Sequence, residues 1–292
     1  GIFAINELPD LAERIQVGLL NVLEERDIQI RGHRVRLPLD IVLVATANPE
    51  DYTNRGRIIT PLKDRFGAQV RTHYPEDTST EVAIMCAEAV IPAEPPVIVP
   101  AYMQEVLAEM SQLARRSPHL NQRSGVSVRL TIANYETVVA NALRRALRTR
   151  ESVVVPRVSD LAAVVPSTLG KIEVEALEEG REGEVVAQLA TAAVLAVFRR
   201  RVTLEDPAAV VGAFGEVTVV HTGDDLASSE YLAVLADMPA LEPATRALAG
   251  PDAGESPEQM AAALEFLLEG LHLTKRLNKD ASGARALYRR RR

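Results

Sequence analysis

Four polar residues in the first 67 sit where phosphate chemistry would need them. Glu7 and its neighbour Asn6 close the apolar run Ile2-Phe3-Ala4-Ile5, Asn48 closes the run Ile41 to Ala47, and Arg65 lies within Thr60-Pro-Leu-Lys-Asp-Arg-Phe-Gly67. A carboxylate at the end of a buried strand can orient or deprotonate a water, because burial raises its basicity. An amide at a neighbouring tip can hold that water or a phosphate oxygen. A planar guanidinium suits phosphate, on its own site or on a neighbouring subunit's. Hydrolysis of a nucleoside triphosphate needs a polarised water, a held Mg²⁺, positive charge on the γ-phosphate oxygens and a cradle for the phosphates. The first three have candidates in these residues.

The elements that must position them follow from local pattern. Ile2 to Ile5 and Ile41 to Ala47 are short continuous apolar runs, expected as strands buried on both faces of a parallel sheet. Between them, Asp10 and Glu13 suggest a cap for a helix carrying Leu11, Ile15, Leu19, Val22 and Leu23 inward. The result is a βαβ unit whose polar tips converge on the edge where α/β sheets take ligands. Residues 27 to 37 alternate apolar and polar around Gly32, which predicts a β-hairpin with the basic, exposed tip Arg31-Gly-His-Arg34. A short strand is expected over Ala68 to Thr72. Thr78 with Glu81 predicts a capping box opening a helix to about Val90, with Val82, Met85, Cys86 and Ala89 inward.

The proline-rich stretch Ile91 to Pro100 reads as a hinge. Beyond it the pattern is mostly helical. Helices are expected over Ala101 to Arg116 and Thr131 to Leu147, the second with Ile132, Tyr135, Val139, Leu143 and Leu147 inward. Its C-terminal end carries Arg144, Arg145 and Arg148, favourable to the helix dipole. Further helices are expected over residues 159–169, 184–200, 206–211, 226–235 and 257–273, with a strand near Val217 to His221. The terminal arginines, Arg285 and Arg289 to Arg292, read as a solvated tail.

Composition bounds the function classes. The 292 residues are 47% hydrophobic and 25% charged, as expected of a globular chain long enough for two domains. A net charge of −7 disfavours a general nucleic-acid footprint. No run approaches the about 20 apolar residues of a membrane span, and no signal segment opens the chain, so the cytoplasm is the expected compartment. The single cysteine, Cys86, excludes an internal disulfide framework, and the five scattered histidines lack zinc-site spacing.

With these residues in hand, a family resemblance is clear. Ile2 to Glu7 looks like a Walker B strand, Val44-Ala-Thr-Ala-Asn48 like a sensor-1 strand, and Leu62-Lys-Asp-Arg-Phe-Gly67 is similar to the arginine-finger segment of AAA+ ATPases. The hairpin and the Asp-Arg-Phe-Gly sequence resemble the magnesium-chelatase ATPase subunit and MoxR-like branch. Arg129, before a predicted helix, resembles the sensor-2 arginine. The resemblance covers residues 1 to 90 and extends to about 150.

It implies a partial α/β P-loop NTPase (AAA+) core over residues 1–76, a helical lid over 77–150, and a mainly helical C-terminal extension over 151–292. It implies ATP and Mg²⁺ as cofactors, Glu7, Asn48 and Arg65 as catalytic residues, and Asn6, Glu7, Asn48 and Arg129 as nucleotide-binding ones. It also implies a ring of identical subunits that remodels a partner protein. Arg55 and Arg57 stand near Arg65 in sequence and remain alternative fingers.

Two departures shape the expectation. Asn6 stands where the family has an acidic residue associated with Mg²⁺, and a neutral oxygen weakens binding of the metal or its water. The loop G-x-x-x-x-G-K-[ST] is absent: Gly170-Lys171 is followed by Ile172, with Val165 at the first glycine's place. Because Gly1 stands one residue before a buried-looking strand, the phosphate loop is expected upstream of this chain, which by itself should not turn over ATP. The alternative expectation is a catalytically degenerate scaffold subunit of a ring complex.

Overall fold

A computed structural model describes residues 1–24, 27–30, 33–36, 40–48, 57–122, 124–175, 180–204, 206–215, 218–251, 256–282 and 285–291. The chain divides into two compact units, Gly1–His73 and Tyr74–Arg292.

In the first unit, β1 (Ile2–Ile5) leads through a 3₁₀ turn (Leu8–Asp10) to α1 (Glu13–Glu24). The hairpin strands β2 (Asp27–Ile30) and β3 (His33–Arg36) come next, then β4 (Val42–Ala45) and the short α2 (Thr60–Asp64). β1 pairs with β4 in parallel, Ile2 opposite Val42 and Ile5 opposite Ala45. β2 and β3 are antiparallel, Asp27 opposite Arg36.

Several local expectations need correction here. The two apolar strands are not buried: Ile2 is 80% exposed and Val42 62%. The described residues of this unit do not cover them. Asp10 does not cap a helix. It ends the 3₁₀ turn that Pro9 favours, and α1 starts three residues later, Ile15 and Gln16 donating their N–H groups to the Ala12 carbonyl. No strand forms over Ala68 to Thr72. Of the hairpin tip, Arg31 and Gly32 lie outside the described residues, as does Arg55.

The second unit opens with α3 (Thr78–Glu88), α4 (Ala101–Ala114) and α5 (Arg129–Thr149). A 3₁₀ segment (Val158–Ala163) runs into α6 (Val164–Leu169), followed by α7 (Glu182–Arg201), α8 (Pro207–Gly212) and β5 (Val219–Gly223). The chain closes with α9 (Ser228–Asp237), α10 (Glu242–Ala249), α11 (Pro257–Leu273), β6 (Leu277–Ser282) and β7 (Arg285–Arg290). α11 is its centre. Residues from Met260 to Leu271 are buried all round it, as for a helix enclosed by neighbours rather than lying on a surface. Met103 and Val106 from α4, Val194 and Phe198 from α7 and Leu267 from α11 share one core that runs from Met85 to Tyr288, across residue 150. Phe266 stacks on Tyr102 with ring centroids 4.5 Å apart.

Of the terminal arginines, Arg285, Arg289 and Arg290 are not a free tail. Arg285 to Arg290 form β7, the middle strand of an antiparallel sheet ordered β5-β7-β6. α3 is capped by Asp77, whose carboxylate accepts the Thr80 N–H at 2.6 Å, and Glu81 is withdrawn from the cap into the interior. Cys86 and Leu147 are exposed instead of facing the core, while Arg145 is buried. Among the described residues, no helix is long and apolar enough to cross a membrane.

Candidate functional site

The tips of β1 and β4 are joined through Thr46, a residue that the strand pattern alone did not single out. Its hydroxyl donates to Asn6 Oδ1 at 2.6 Å and accepts the Glu7 N–H at 2.9 Å. Its carbonyl accepts the Leu8 N–H at 2.9 Å. This three-point attachment fixes the chain where it leaves β1.

Glu7 occupies the left-handed backbone region at φ 52°, ψ 55°. That conformation costs a residue with a Cβ about 1–2 kcal/mol, and such outliers cluster where a side chain must be aimed. Thr46 offsets the cost by satisfying the Glu7 N–H, and the buried Leu8 anchors the following turn. The Glu7 carboxylate itself is exposed, so the burial expected to raise its basicity is not provided by the described residues. Asn48, three residues past the last paired residue of β4, is also exposed at this same end of the strands.

Arg65 belongs to the α1–α2 pair. It follows the last residue of α2, donates from Nη1 to the Pro61 carbonyl at 3.2 Å and lies 2.6 Å from Glu24 Oε1 through Nη2. Glu24 is the last residue of α1, so the two helices present the guanidinium together. Their relation is set by Gln16, buried on α1, which donates to the Leu11 and Arg57 carbonyls and accepts the Ile59 N–H at 2.9 Å. A buried glutamine with both ends satisfied holds the chain as it enters α2. Its polar type in an amphipathic helix was the available signal. Arg57 is exposed, and its carbonyl serves this bracket.

Arg129 lies in the second unit, exposed as the first residue of α5. A buried polar network sets the approach to it. Arg115 binds both oxygens of Glu81, at 2.6 and 2.7 Å, while its Nε donates to the Val126 carbonyl at 3.0 Å. Thr131 donates to Glu81 Oε1 at 2.6 Å, and the Tyr74 hydroxyl accepts the Val126 N–H at 3.1 Å. Gly125, at φ 69°, lets the chain pass Tyr74; a Cβ there would stand 2.6 Å from the tyrosine oxygen.

The donor set does not favour a directly coordinated Mg²⁺. Asn6 offers a neutral oxygen already engaged by Thr46, and among the described residues no group of three His, Cys, Asp or Glu side chains could hold a metal. Gly170 and Lys171 follow α6 at its C-terminal end, whereas a phosphate loop must lead into a helix N-terminus. Comparison with models of known protein families found no match, and comparison with curated proteins found none either.

Proposed function

We propose that this chain is the water-activating and sensing part of a ring-forming AAA+ ATPase of the magnesium-chelatase and MoxR-like branch, a cytoplasmic machine that remodels a partner protein. The observation that carries this reading is Glu7, held in a left-handed conformation by Thr46 beside Asn6 at the end of two parallel strands. In the proposed reaction Glu7 accepts a proton from the water attacking the γ-phosphorus of ATP, and Asn48 holds that water or a γ-oxygen. Arg65, presented by Glu24, reaches a neighbouring subunit's nucleotide and offsets charge on the transferring phosphoryl group. Arg129 serves the lid side of the nucleotide. Mg²⁺ would arrive with the phosphates, and Asn6 would meet its water shell.

The test is ATP turnover by the gene product that carries this sequence, against turnover by residues 1–292 alone. The first is expected to hydrolyse ATP slowly in Mg²⁺, with Glu7→Gln abolishing turnover and Arg65→Ala lowering it about 10³-fold or more. The second is expected to show none, since its sequence holds no G-x-x-x-x-G-K-[ST] loop. Turnover by residues 1–292 that Glu7→Gln abolishes would overturn the assignment of the phosphate cradle.

One observation favours a second reading, a catalytically degenerate scaffold subunit. The Asn6 oxygen is neutral and is used to fix Thr46. On that reading the gene product binds ATP without turning it over, and Asn6→Asp leaves it inactive.

A further inference from the structure

The antiparallel sheet β5-β7-β6 ends on β6, whose outer edge meets no other strand among the described residues. Two contacts show which of its backbone groups face that edge. In an antiparallel pair, opposed residues alternate between exchanging hydrogen bonds and turning away from the partner. Gly223 of β5 gives its N–H to the Tyr231 hydroxyl at 3.2 Å and accepts from it at 3.5 Å, so Gly223 and Arg285 are a pair that turns away. Arg285, Leu287 and Arg289 of β7 therefore bond to β6, which leaves Leu277, Lys279 and Ala281 facing outward. The Leu277 carbonyl agrees, since it meets His272 Nδ1 at 3.2 Å. The N–H and carbonyl groups of Lys279 and Ala281 have no partner among the described residues.

The same two residues line a cleft of about 550 Å³ on the inner face of the sheet. Its far wall is α7, where Ala187, Ala190, Thr191 and Val194 recur at helical spacing and keep the space open with small side chains. A strand added about 4.8 Å beyond β6 would place alternate side chains on this inner face, beside Lys279 and Ala281. Those side chains would enter the cleft.

The charges around the cleft are already matched. Lys279 lies 2.7 Å from Glu269, Arg285 2.6 Å from Asp225 and Arg144 3.9 Å from Asp224. Glu265 accepts hydrogen bonds from Ser159 and Tyr231 and interacts with the Arg145 charge. A charged ligand would find no unmatched partner. What the site offers is backbone donors and acceptors at strand spacing, beside small apolar side chains, and the complement of that is an extended polypeptide.

A second copy of β6 fits poorly. In the two antiparallel registers that pair most of the strand, Lys279 would stand opposite Lys279 or Asp280 opposite Asp280, and like charges directly opposed destabilise a pair. Charged residues on an edge strand guard against such self-pairing.

We propose that β6 takes an extended segment of a different polypeptide as a fourth strand, with uncharged, apolar side chains at alternate positions entering the cleft toward α7. The segment is held by its backbone at Lys279 and Ala281, and the cleft selects its inward side chains. This site lies within the second unit and does not depend on the nucleotide reading.

The test is a titration of the isotopically labelled chain with acetyl-Thr-Val-Thr-Val-Thr-amide, followed by amide NMR shifts and hydrogen exchange. Saturable shifts on α7 are expected, together with new exchange protection at the Lys279 and Ala281 amides. An analogue N-methylated at all five residues keeps the side chains and removes the donors, so it should bind about tenfold more weakly or worse. Ala281→Pro removes an edge donor without breaking a bond to β7 and should weaken binding of the parent peptide. Ala187→Trp, which fills the cleft from an exposed position, should abolish it. Lysine or glutamate in place of the two valines should bind less well. The proposal is overturned if the peptide brings no protection to the two edge amides, if the N-methylated analogue binds as well, or if either charged peptide binds more tightly. Protection of the edge amides in the free chain that grows with its concentration would assign the edge to a second copy and overturn it too. Should Ala281→Pro not fold, unchanged binding to Ala187→Trp overturns it alone.

Discussion

The Glu81 carboxylate and the Arg115 guanidinium meet in a two-bond pair, at 2.6 and 2.7 Å, inside the second unit where Glu81 has no exposed surface. Thr131 and Gln112 complete the carboxylate's partners, at 2.6 and 3.1 Å. One side chain of α3 thereby ties down α4 and α5. Glu81→Ala leaves Arg115 buried and unpaired, and is expected to cost about 3–5 kcal/mol in the unfolding of this unit. Replacing both partners with methionine should recover much of that loss, because the desolvation cost disappears with the charges. Urea unfolding of single and double variants measures both effects, and an additive double variant would contradict the pairing.

A second prediction concerns α7 against α11. A Cβ on Gly270 would lie 1.8 Å from the Phe198 ring, which is itself buried. No small shift relieves such an overlap. Gly270→Ala should therefore destabilise at the upper end of, or beyond, the about 1–3 kcal/mol usual for overpacking. Adding Phe198→Leu should return part of it. Thermal melts of the two variants decide the matter, and an unchanged melting temperature for Gly270→Ala would show that the helices separate easily.

These two contacts also mark the limits of what could be read in advance. The apolar runs at Ile2 to Ile5 and Ile41 to Ala47 are legible as strands because continuous β-branched and aromatic residues leave few alternatives, and the alternation around Gly32 marks the hairpin. Their exposure is not legible, since a sequence pattern reports what a strand can bury and not what covers it. Glu81 resembled a capping acid because spacing alone cannot tell a cap from a buried partner 34 residues away. Strands β6 and β7 were missed for a related reason. Arg289 and Arg290 read as solvated charge, yet their backbones pair in a sheet whose buried face is made by Val220, Thr222, Leu277 and Tyr288. In the candidate site, Glu7, Asn48 and Arg65 were named by type and position, whereas Thr46, Gln16 and Glu24 emerge only when the chain is folded.

Thr46 gives the sharpest prediction for the first unit. Thr46→Val keeps the shape and removes the hydroxyl, leaving the Glu7 N–H and the Asn6 oxygen without their partner. These groups are exposed and can turn to water, so loss of the bonds is expected to cost about 0.5–1.5 kcal/mol, and the left-handed conformation of Glu7 then lacks its compensation. Thr46→Ser should retain most of the stability. Amide exchange at Glu7 and Leu8 provides the readout: protection should fall in the valine variant and persist in the serine variant. Equal protection in both would show that the hydroxyl does not hold the turn.

The last prediction is a pH dependence with a defined sign. Arg201, hydrogen-bonded to Glu105 across α4 and α7, holds that carboxyl below its ordinary value of 4.5; partial burial opposes the shift, and Arg200 adds to it. A carboxylate whose pKa is lower folded than unfolded contributes stability that is fully present above the unfolded value. That contribution is lost as pH falls through the lowered folded value. Glu105 should therefore help hold α4 to α7 at neutral pH and lose its effect below about pH 4.5. The neighbouring Glu109, 3.3 Å from Arg200 on the same face, must be kept intact. Urea midpoints of the parent and of Glu105→Gln, taken from roughly pH 3 to pH 7, isolate the pair. The difference between the two curves should be largest at neutral pH and shrink toward acid, and it should narrow in added salt because both partners are partly exposed. A difference that grows on acidification would mean that Glu105 is raised by burial more than it is lowered by Arg201.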